Sequence, residues 1–459
     1  MTTLSRLHFI LFLALTLGLK GFAQIRVSRI DVNKWVKDNF AGQGLVLGNI
    51  KVHGNALAMS GFNSSKNVLE IQKGLVLSTG LASTVGGVNN KYNESYPFGD
   101  AEKDKDLQKM VKPNLYDMSF IEFDFVPLAN TLQFNYQFAS EEYPEYVGST
   151  YNDVFAFFVS DDSTTKNIAL IPEKKTPVSI NTLNHLTNSE FFIDNNVFSA
   201  AVSERSAPVV EERERRGFFA SIGHKIKGFF SRDTKSEDEG SVPTDPALVK
   251  KVKPATYRFL QFDGITKKLV AKTSVIPYKK YHLKIIIADV ADNIYDSGVF
   301  VEDKSLVVTP DTSQQDFAQY AMLSKLVDPK QILSGKKLED LLPDTVYLDA
   351  NIYFDTNKAD ILPSETKKIR SIAAIYDLIN NKYIMRVAGH TDSVGNLKYN
   401  MALSRKRNQA VVTYLQQIRN IEIPIEITED AFLRPAANNN TDLGRTKNRR
   451  VEIFFVKRD

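Results

Sequence analysis

Between about Asn33 and Leu306 apolar side chains recur at every second residue, and that spacing most narrows the folds open to this chain. Thr131-Leu-Gln-Phe-Asn-Tyr-Gln-Phe138 alternates apolar and polar residues, as does much of Tyr281-His-Leu-Lys-Ile-Ile-Ile-Ala288. A period of two puts one side-chain set on each face of a strand, and the Gly, Asn and Asp clusters between runs read as turns. The pattern predicts an all-β sandwich. A transmembrane barrel is the competing reading, but the segments are irregularly spaced and lack aromatic girdles.

The pattern changes after residue 345. A strand through Val346–Phe354, a helix over about 364–378, a strand 383–388, a helix over about 397–418 and strands near 422–428 and 451–456 predict a compact α/β sandwich of βαβαββ type. Pro363 and Ser364 open the first helix, with Glu365 in its first turn, as helix-start chemistry expects. Residues 310–345 are polar and helix-prone, punctuated by Pro310, Pro329 and Pro343, and read as a linker with one or two helices. Such a linker would set how far apart its neighbours sit.

The N-terminus sets the compartment. Arg6 precedes an apolar run, Phe9 to Leu19, and Gly21-Phe-Ala23 supplies small residues where a signal peptidase reads. The expected cut follows Ala23. A retained anchor would need roughly 20 apolar residues to span a bilayer, and this run has about 11. No cysteine is present, so neither a lipid-modified N-terminus nor a disulfide framework is available. The net charge of +4 over 459 residues gives no field of the kind that marks a nucleic-acid binder.

An insertion interrupts the β pattern at about 199–255. Within it Phe218, Phe219, Ile222, Ile226, Phe229 and Phe230 fall near helical spacing, with Lys225 and Lys227 off that stripe. A helix on a membrane or a partner fits this, and so does a short helix packed on the sandwich or a loop.

In the C-terminal region four segments, Ile352-Tyr-Phe-Asp-Thr-Asn-Lys-Ala-Asp-Ile-Leu-Pro363, Gly389-His-Thr-Asp-Ser-Val-Gly395, Tyr399-Asn-Met-Ala-Leu-Ser-Arg-Lys-Arg407 and Asn448-Arg-Arg-Val-Glu-Ile453, resemble the OmpA-like peptidoglycan-binding family in order and spacing. The resemblance implies a site for the peptide stem of peptidoglycan, where an aspartate and an arginine grip the zwitterionic end of diaminopimelate. By motif these are Asp392 and Arg407, both expected to be partly exposed. Asn400 would reach toward the peptide backbone, Thr391 flanks the aspartate, and Asp355 and Arg450 border the pocket. The chemistry stands by itself: an ammonium and a carboxylate on one carbon need one acid and one base a few ångströms apart. Arginine's planar fork can hold a carboxylate through two bonds where lysine cannot. Family members carry a Gly-rich turn before the proline that aligns with Pro435, whereas this chain has Glu429-Asp-Ala-Phe-Leu-Arg434.

The β region resembles the choice-of-anchor L domain. The likeness lies in Gly74-Leu-Val-Leu-Ser-Thr-Gly80, Phe138-Ala-Ser-Glu-Glu-Tyr-Pro-Glu-Tyr-Val147, Tyr151-Asn-Asp-Val-Phe-Ala-Phe-Phe158, Asn181-Thr-Leu-Asn184 and Ala288-Asp-Val-Ala-Asp-Asn-Ile-Tyr-Asp-Ser-Gly-Val-Phe300. That family occurs on secreted and surface proteins, notably of Bacteroidota, joined to varied anchoring modules, and implies no settled activity.

Two acid clusters stand out there, Glu141, Glu142, Glu145 and Asp153 in one stretch and Asp289, Asp292 and Asp296 in another. They carry the hard oxygens calcium prefers, and they serve equally as solvated turn acids or caps. Glu142 and Asp153 could also pair as a glycosidase's two carboxylates, which must flank a sugar cleft. No Ser-His-Asp set, His-Glu-x-x-His or phosphate loop appears among six histidines and 23 glycines. The expectation is a non-enzyme on the periplasmic face of the outer membrane or elsewhere in the envelope. Its C-terminal domain would hold peptidoglycan, and its β module would meet an outer-membrane or surface partner. The alternative is a wall-localised carbohydrate hydrolase acting through the β module.

Overall fold

The period-two segments pair into two sheets. The computed structural model describes residues 25–65, 68–87, 89, 95–99, 101–149, 153–195, 260–291, 294–310, 322–348, 350–419 and 425–458. The expected signal segment, the insertion at 199–255 and Asp292 lie outside them.

Strand Thr131–Ser140 is the hub of a nine-stranded sheet. It pairs antiparallel with Ser297–Glu302, Gly264–Thr266, Leu269–Ser274 and Val307–Thr309. Beyond Ser297–Glu302 the sheet continues through Lys73–Ser78 and Met59–Asn63 to Arg26–Ser28. A six-stranded sheet runs in the order Leu45–His53, Leu115–Pro127, Tyr281–Val290, Val154–Ser160, Thr165–Asn167, with Ala101–Glu102 paired to Leu115–Pro127. Phe134, Tyr136 and Phe138 of the first sheet share one core with Phe123, Phe125, Phe155 and Phe157 of the second. The rings meet in the offset and edge-on geometries that aromatic quadrupoles favour, with Phe138 stacked on Phe155 at 4.7 Å and Tyr136 edge-on to Phe157 at 4.7 Å.

Alternation lapses into a continuous apolar run at Ile285–Ala288 because the outer face is covered too. Ile286 and Ala288 pack with Leu107, Met118 and Phe158 in a second cluster. A strand buried on both faces no longer needs polar residues at every other position.

The segment read as a linker is docked. Asp328 caps the helix Pro329–Leu333 by accepting from Lys330 N, and a second short helix follows at Leu338–Leu341. Leu323, Val327, Ile332, Leu338 and Leu342 are buried in one cluster with Val126 and Tyr278 of the β region and with Val346, Tyr383 and Phe455 of the C-terminal region. Residues 322–342 are therefore packed against both regions and do not form a free spacer. Burying five large apolar side chains at about 1.5–3 kcal/mol each outweighs the freedom a tether would keep.

The C-terminal region is a five-stranded mixed sheet with two helices packed against it. Strand order is Thr345–Tyr347, Arg450–Lys457, Tyr383–His390, Ile425–Ala431, with Ile352–Tyr353 also paired to Arg450–Lys457. Only Tyr383–His390 and Ile425–Ala431 run parallel. The helices are Pro363–Ile379, with proline in the first turn as expected, and Leu397–Arg419. Ile369, Ile372 and Ile375 of the first and Val411 and Leu415 of the second meet Met385, Val387, Val451 and Ile453 of the sheet. The expected first strand is split in two, and a short helix, Asp442–Asn448, precedes the last strand without having been foreseen.

Candidate functional site

At the C-terminal end of strand Tyr383–His390 the chain turns through residues 391–396 before entering the helix Leu397–Arg419. Local hydrogen bonds shape that turn. Asp392 Oδ1 accepts from Val394 N at 3.2 Å, Asn396 Oδ1 accepts from Tyr399 N at 2.9 Å in the first turn of the helix, and Gly395 adopts φ 95°, which favours glycine. Asn400 is buried and donates from Nδ2 to Val394 O at 3.0 Å and to Asn396 O at 3.2 Å, stitching the turn to its helix.

Thr391, Asp392, Asn400 and Arg407 line one pocket of about 240 Å³ with Thr356, Asn357, Val394, Tyr399, Leu403 and Arg449. Four of the six residues singled out from sequence thus come together. Thr391 Oγ1 is buried with no hydrogen-bond partner. Asp355 stays on the rim: its side chain is half-exposed and paired with Lys358, and only its carbonyl takes part, accepting from Arg407.

Arg450 is turned away from the pocket and donates to Glu452 Oε1 and to Arg434 O. Its neighbour Arg449 holds the pocket position, with Nη1 3.1 Å from Asp392 Oδ2. Strand parity explains the exchange. Val451, Ile453 and Phe455 face the helices, so Arg449 falls on that face and Arg450 on the other. The parity was readable in Arg449-Arg-Val-Glu-Ile453; Tyr399 and Asn357 carried no comparable signal.

Arg407 also departs from expectation. It is fully buried, and its guanidinium donates from Nε to Lys358 O at 2.9 Å, from Nη1 to His390 O at 2.9 Å and from Nη2 to Asp355 O at 3.1 Å, with the Phe354 ring 5.2 Å away. Three of its five N–H groups are spent on two carbonyls of one loop and one of a strand end. One on each terminal nitrogen is left for a ligand. Burial pulls the guanidinium down to about 10, with Asp392 opposing and Arg449 adding to the shift, so it stays charged at neutral pH. One buried carboxylate and two guanidiniums make a pocket that suits a group with an ammonium and at least one carboxylate.

The rim differs from a Gly-rich turn yet is well tied. Asn448, fully buried, accepts from Ala436 N and Ala437 N and donates to Ala437 O and to Asn439 Oδ1, and Asn439 in turn accepts from Ser393 N.

In the β region the two acid stretches meet at one end of the paired sheets. Val154 pairs with Ala288 and Ser297 with Ser140, so Asp153, Asp289, Asp296 and Glu141 sit at neighbouring strand ends. Glu142 Oε2 accepts from Asp153 N at 3.1 Å. Glu141, Glu142, Asp153, Asp289 and Asp296 are all buried, and the cavity lined by Glu141 and Asp296 is only about 10 Å³. A sugar cannot reach Glu142 or Asp153 there, which removes the geometry the glycosidase reading needs. Burial raises the Asp153 carboxyl to about 8, with the Asp296 charge adding to it, and raises Asp289 well above the carboxylate range, with Asp153 and Asp296 adding. Among the described residues no three His, Asp or Glu side chains are disposed to hold a metal ion.

Comparison with known proteins matches residues 24–211 and 230–307 to the choice-of-anchor L domain, more than half of the chain, and residues 353–449 to the OmpA family. The chain belongs to the choice-of-anchor L family. Its OmpA domain is 37% identical over 112 residues to Outer membrane protein A of Bordetella avium, covering 24% of this chain and 57% of that protein. It is 33% identical over 104 residues to the Peptidoglycan-associated lipoprotein of Buchnera aphidicola, covering 23% and 60%. This choice-of-anchor L protein thus spans less than two thirds of either relative. The peptidoglycan-associated lipoprotein from Burkholderia pseudomallei, a solved structure, aligns at 22% identity over 23% of this chain and 89% of its own, with a TM-score of 0.22. No helix among the described residues is long and apolar enough to cross a membrane.

Proposed function

We propose that the OmpA domain binds the peptide stem of peptidoglycan, taking the zwitterionic end of diaminopimelate between Asp392 and the guanidiniums of Arg407 and Arg449. The observation that carries the proposal is the single pocket in which a buried carboxylate faces two arginines. Asp392 already accepts from Val394 N and Arg449, yet a carboxylate offers about four lone-pair sites, so an ammonium can join them. The ligand carboxylate takes the N–H groups Arg407 has left. The names of the two relatives, an outer membrane protein and a peptidoglycan-associated lipoprotein, support the same reading.

The chain is then an exported, wall-associated protein at the periplasmic face of the outer membrane. A non-enzymatic β sandwich is its cargo, acting as adhesin, scaffold or secretion component and meeting an outer-membrane or surface protein. Co-sedimentation of the mature protein with purified sacculi tests the proposal, with soluble muropeptides assayed in the supernatant. Binding by the parent, none by Asp392→Asn and no muropeptide release is the expected result. Equal binding by parent and Asp392→Asn overturns the assigned pocket, and muropeptide release overturns the non-enzymatic reading.

A further inference from the structure

The pocket of the OmpA domain carries more positive than negative charge, and the excess limits which stems it suits. Its lining holds two arginines, Arg407 and Arg449, against one aspartate, Asp392, a net charge of +1. Asp355 does not redress the balance, because its carboxylate stands half-exposed on the rim against Lys358. Asp392 and Arg449 both act on the ionisation of Arg407, so the three groups share one field. A zwitterionic end brings one ammonium and one carboxylate. The ammonium balances Asp392 and the carboxylate balances one arginine, which leaves the other arginine uncompensated in a largely buried site.

The hydrogen-bond donors show the same surplus. Arg449 donates from Nε to Phe354 O at 3.3 Å, from Nη1 to Asp392 Oδ2 at 3.1 Å and from Nη2 to Thr446 Oγ1 at 2.8 Å. Like Arg407, it therefore keeps one N–H on each terminal nitrogen. Two guanidiniums with two donors each match two carboxylates, one per arginine, better than one carboxylate shared between like charges. Arg407 is fully buried whereas the Arg449 side chain is 13% exposed, so Arg407 closes the inner end of the pocket and Arg449 the outer end. The volume of about 240 Å³ falls below the roughly 300–1,000 Å³ of sites for drug-sized ligands, which leaves room for one residue of a stem and not two.

Resting on the reading that this domain takes diaminopimelate, we propose that the pocket selects a diaminopimelate that ends its stem, with its two free carboxylates on Arg407 and Arg449 and its ammonium on Asp392. Such a residue carries a net charge opposite to the pocket's. When the stem continues by one residue, a peptide bond turns the second carboxylate into a neutral amide and moves the terminal charge beyond the pocket. Arg449 then loses its partner.

The test is calorimetric titration of the full mature chain with three soluble muramyl stems. One is a tripeptide ending in diaminopimelate, one is the tetrapeptide with a further D-alanine, and one is the tripeptide with that same terminal carboxyl converted to a carboxamide. The carboxamide has the length of the tripeptide and the charge of an extended stem, so it separates charge from size. The tripeptide should bind roughly tenfold tighter or more than either altered stem, as expected for losing a hydrogen-bonded charge. In Arg449→Gln all three should bind weakly and alike, a loss of discrimination that a merely structural role would not produce. Should that variant fail to fold, the carboxamide comparison on the parent decides alone. Equal parental affinity for the tripeptide and either altered stem overturns the inference while leaving diaminopimelate recognition intact. Absence of binding by all three stems overturns that recognition and the inference with it.

Discussion

Asp392 and Arg407 were paired by motif, and the structure gives them different work. Asp392 meets Arg449, while Arg407 braces the loop carrying Asp355 and Lys358 against His390. Replacing Arg407 with alanine should therefore damage the fold as well as the site. Three carbonyls lose a donor, each worth about 1–3 kcal/mol if left buried and unsatisfied, so a loss of at least about 3 kcal/mol in unfolding free energy is expected, read as a lower denaturant midpoint. Asp392→Asn keeps one acceptor oxygen, enough for Val394 N, gives up only the Arg449 pair, and should lose less. The two basic neighbours offer a second contrast. Arg449→Gln should weaken sacculus binding by roughly 30-fold or more, the effect of losing a partner worth about 2–5 kcal/mol. Arg450→Gln should leave binding near the parent's, because its partners are Glu452 and Arg434. A co-sedimentation isotherm for each variant decides between them, and equal losses would mean that strand parity does not govern the site.

At the scale of elements, the join between strand Tyr383–His390 and helix Leu397–Arg419 depends on Gly389. A methyl group there would lie 2.5 Å from Asn408 Oδ1 and 2.6 Å from Ser404 O, and the second contact is backbone that cannot swing aside. Gly389→Ala should push the helix off the sheet and cost about 1–3 kcal/mol, read as a lower denaturant midpoint, with weaker sacculus binding because Asn400 and Arg407 ride on that helix. The helices and most strands of this domain were legible in the sequence, since Pro363 and the 3.6-residue spacing of Ile369, Ile372 and Ile375 are local signals. So was the sheet character of the β region, from alternation at Thr131–Phe138. Other features hang on long-range packing. The docking of Leu323, Val327 and Ile332 on Val126 and Tyr278, the burial of Arg407 and the convergence of Asp153 with Asp289 each join residues far apart in the chain. No window of sequence contains both partners.

Across the whole molecule two carboxyls, one in each region, should answer pH with opposite signs. In the β region burial raises the Asp263 carboxyl to about 7; the Asn89 hydrogen bond opposes this, and Glu145 and Asp194 add to it. Below the ordinary 3.8 both folded and unfolded forms hold this proton. As pH rises, the unfolded chain ionises first and the folded one is penalised, so this contribution is lost between about pH 4 and pH 7. In the C-terminal domain Glu452 is held down at about 2, chiefly by His390, with burial opposing and Arg450 reinforcing. Its stabilisation is complete above the ordinary 4.5 and disappears as pH falls toward 2, because protonation then favours the unfolded chain. Amide hydrogen exchange can follow both regions in one intact chain. Between pH 4 and pH 7, Asp263→Asn should flatten the decline of the β region relative to the parent and leave residues 350–458 unchanged. Glu452→Gln should blunt the acid sensitivity of residues 350–458 below about pH 4.5 and leave the β region's profile as it was. If each substitution altered the pH profile of both regions equally, the docked segment 322–342 would have to transmit the charge change, and the two regions would unfold as one cooperative unit.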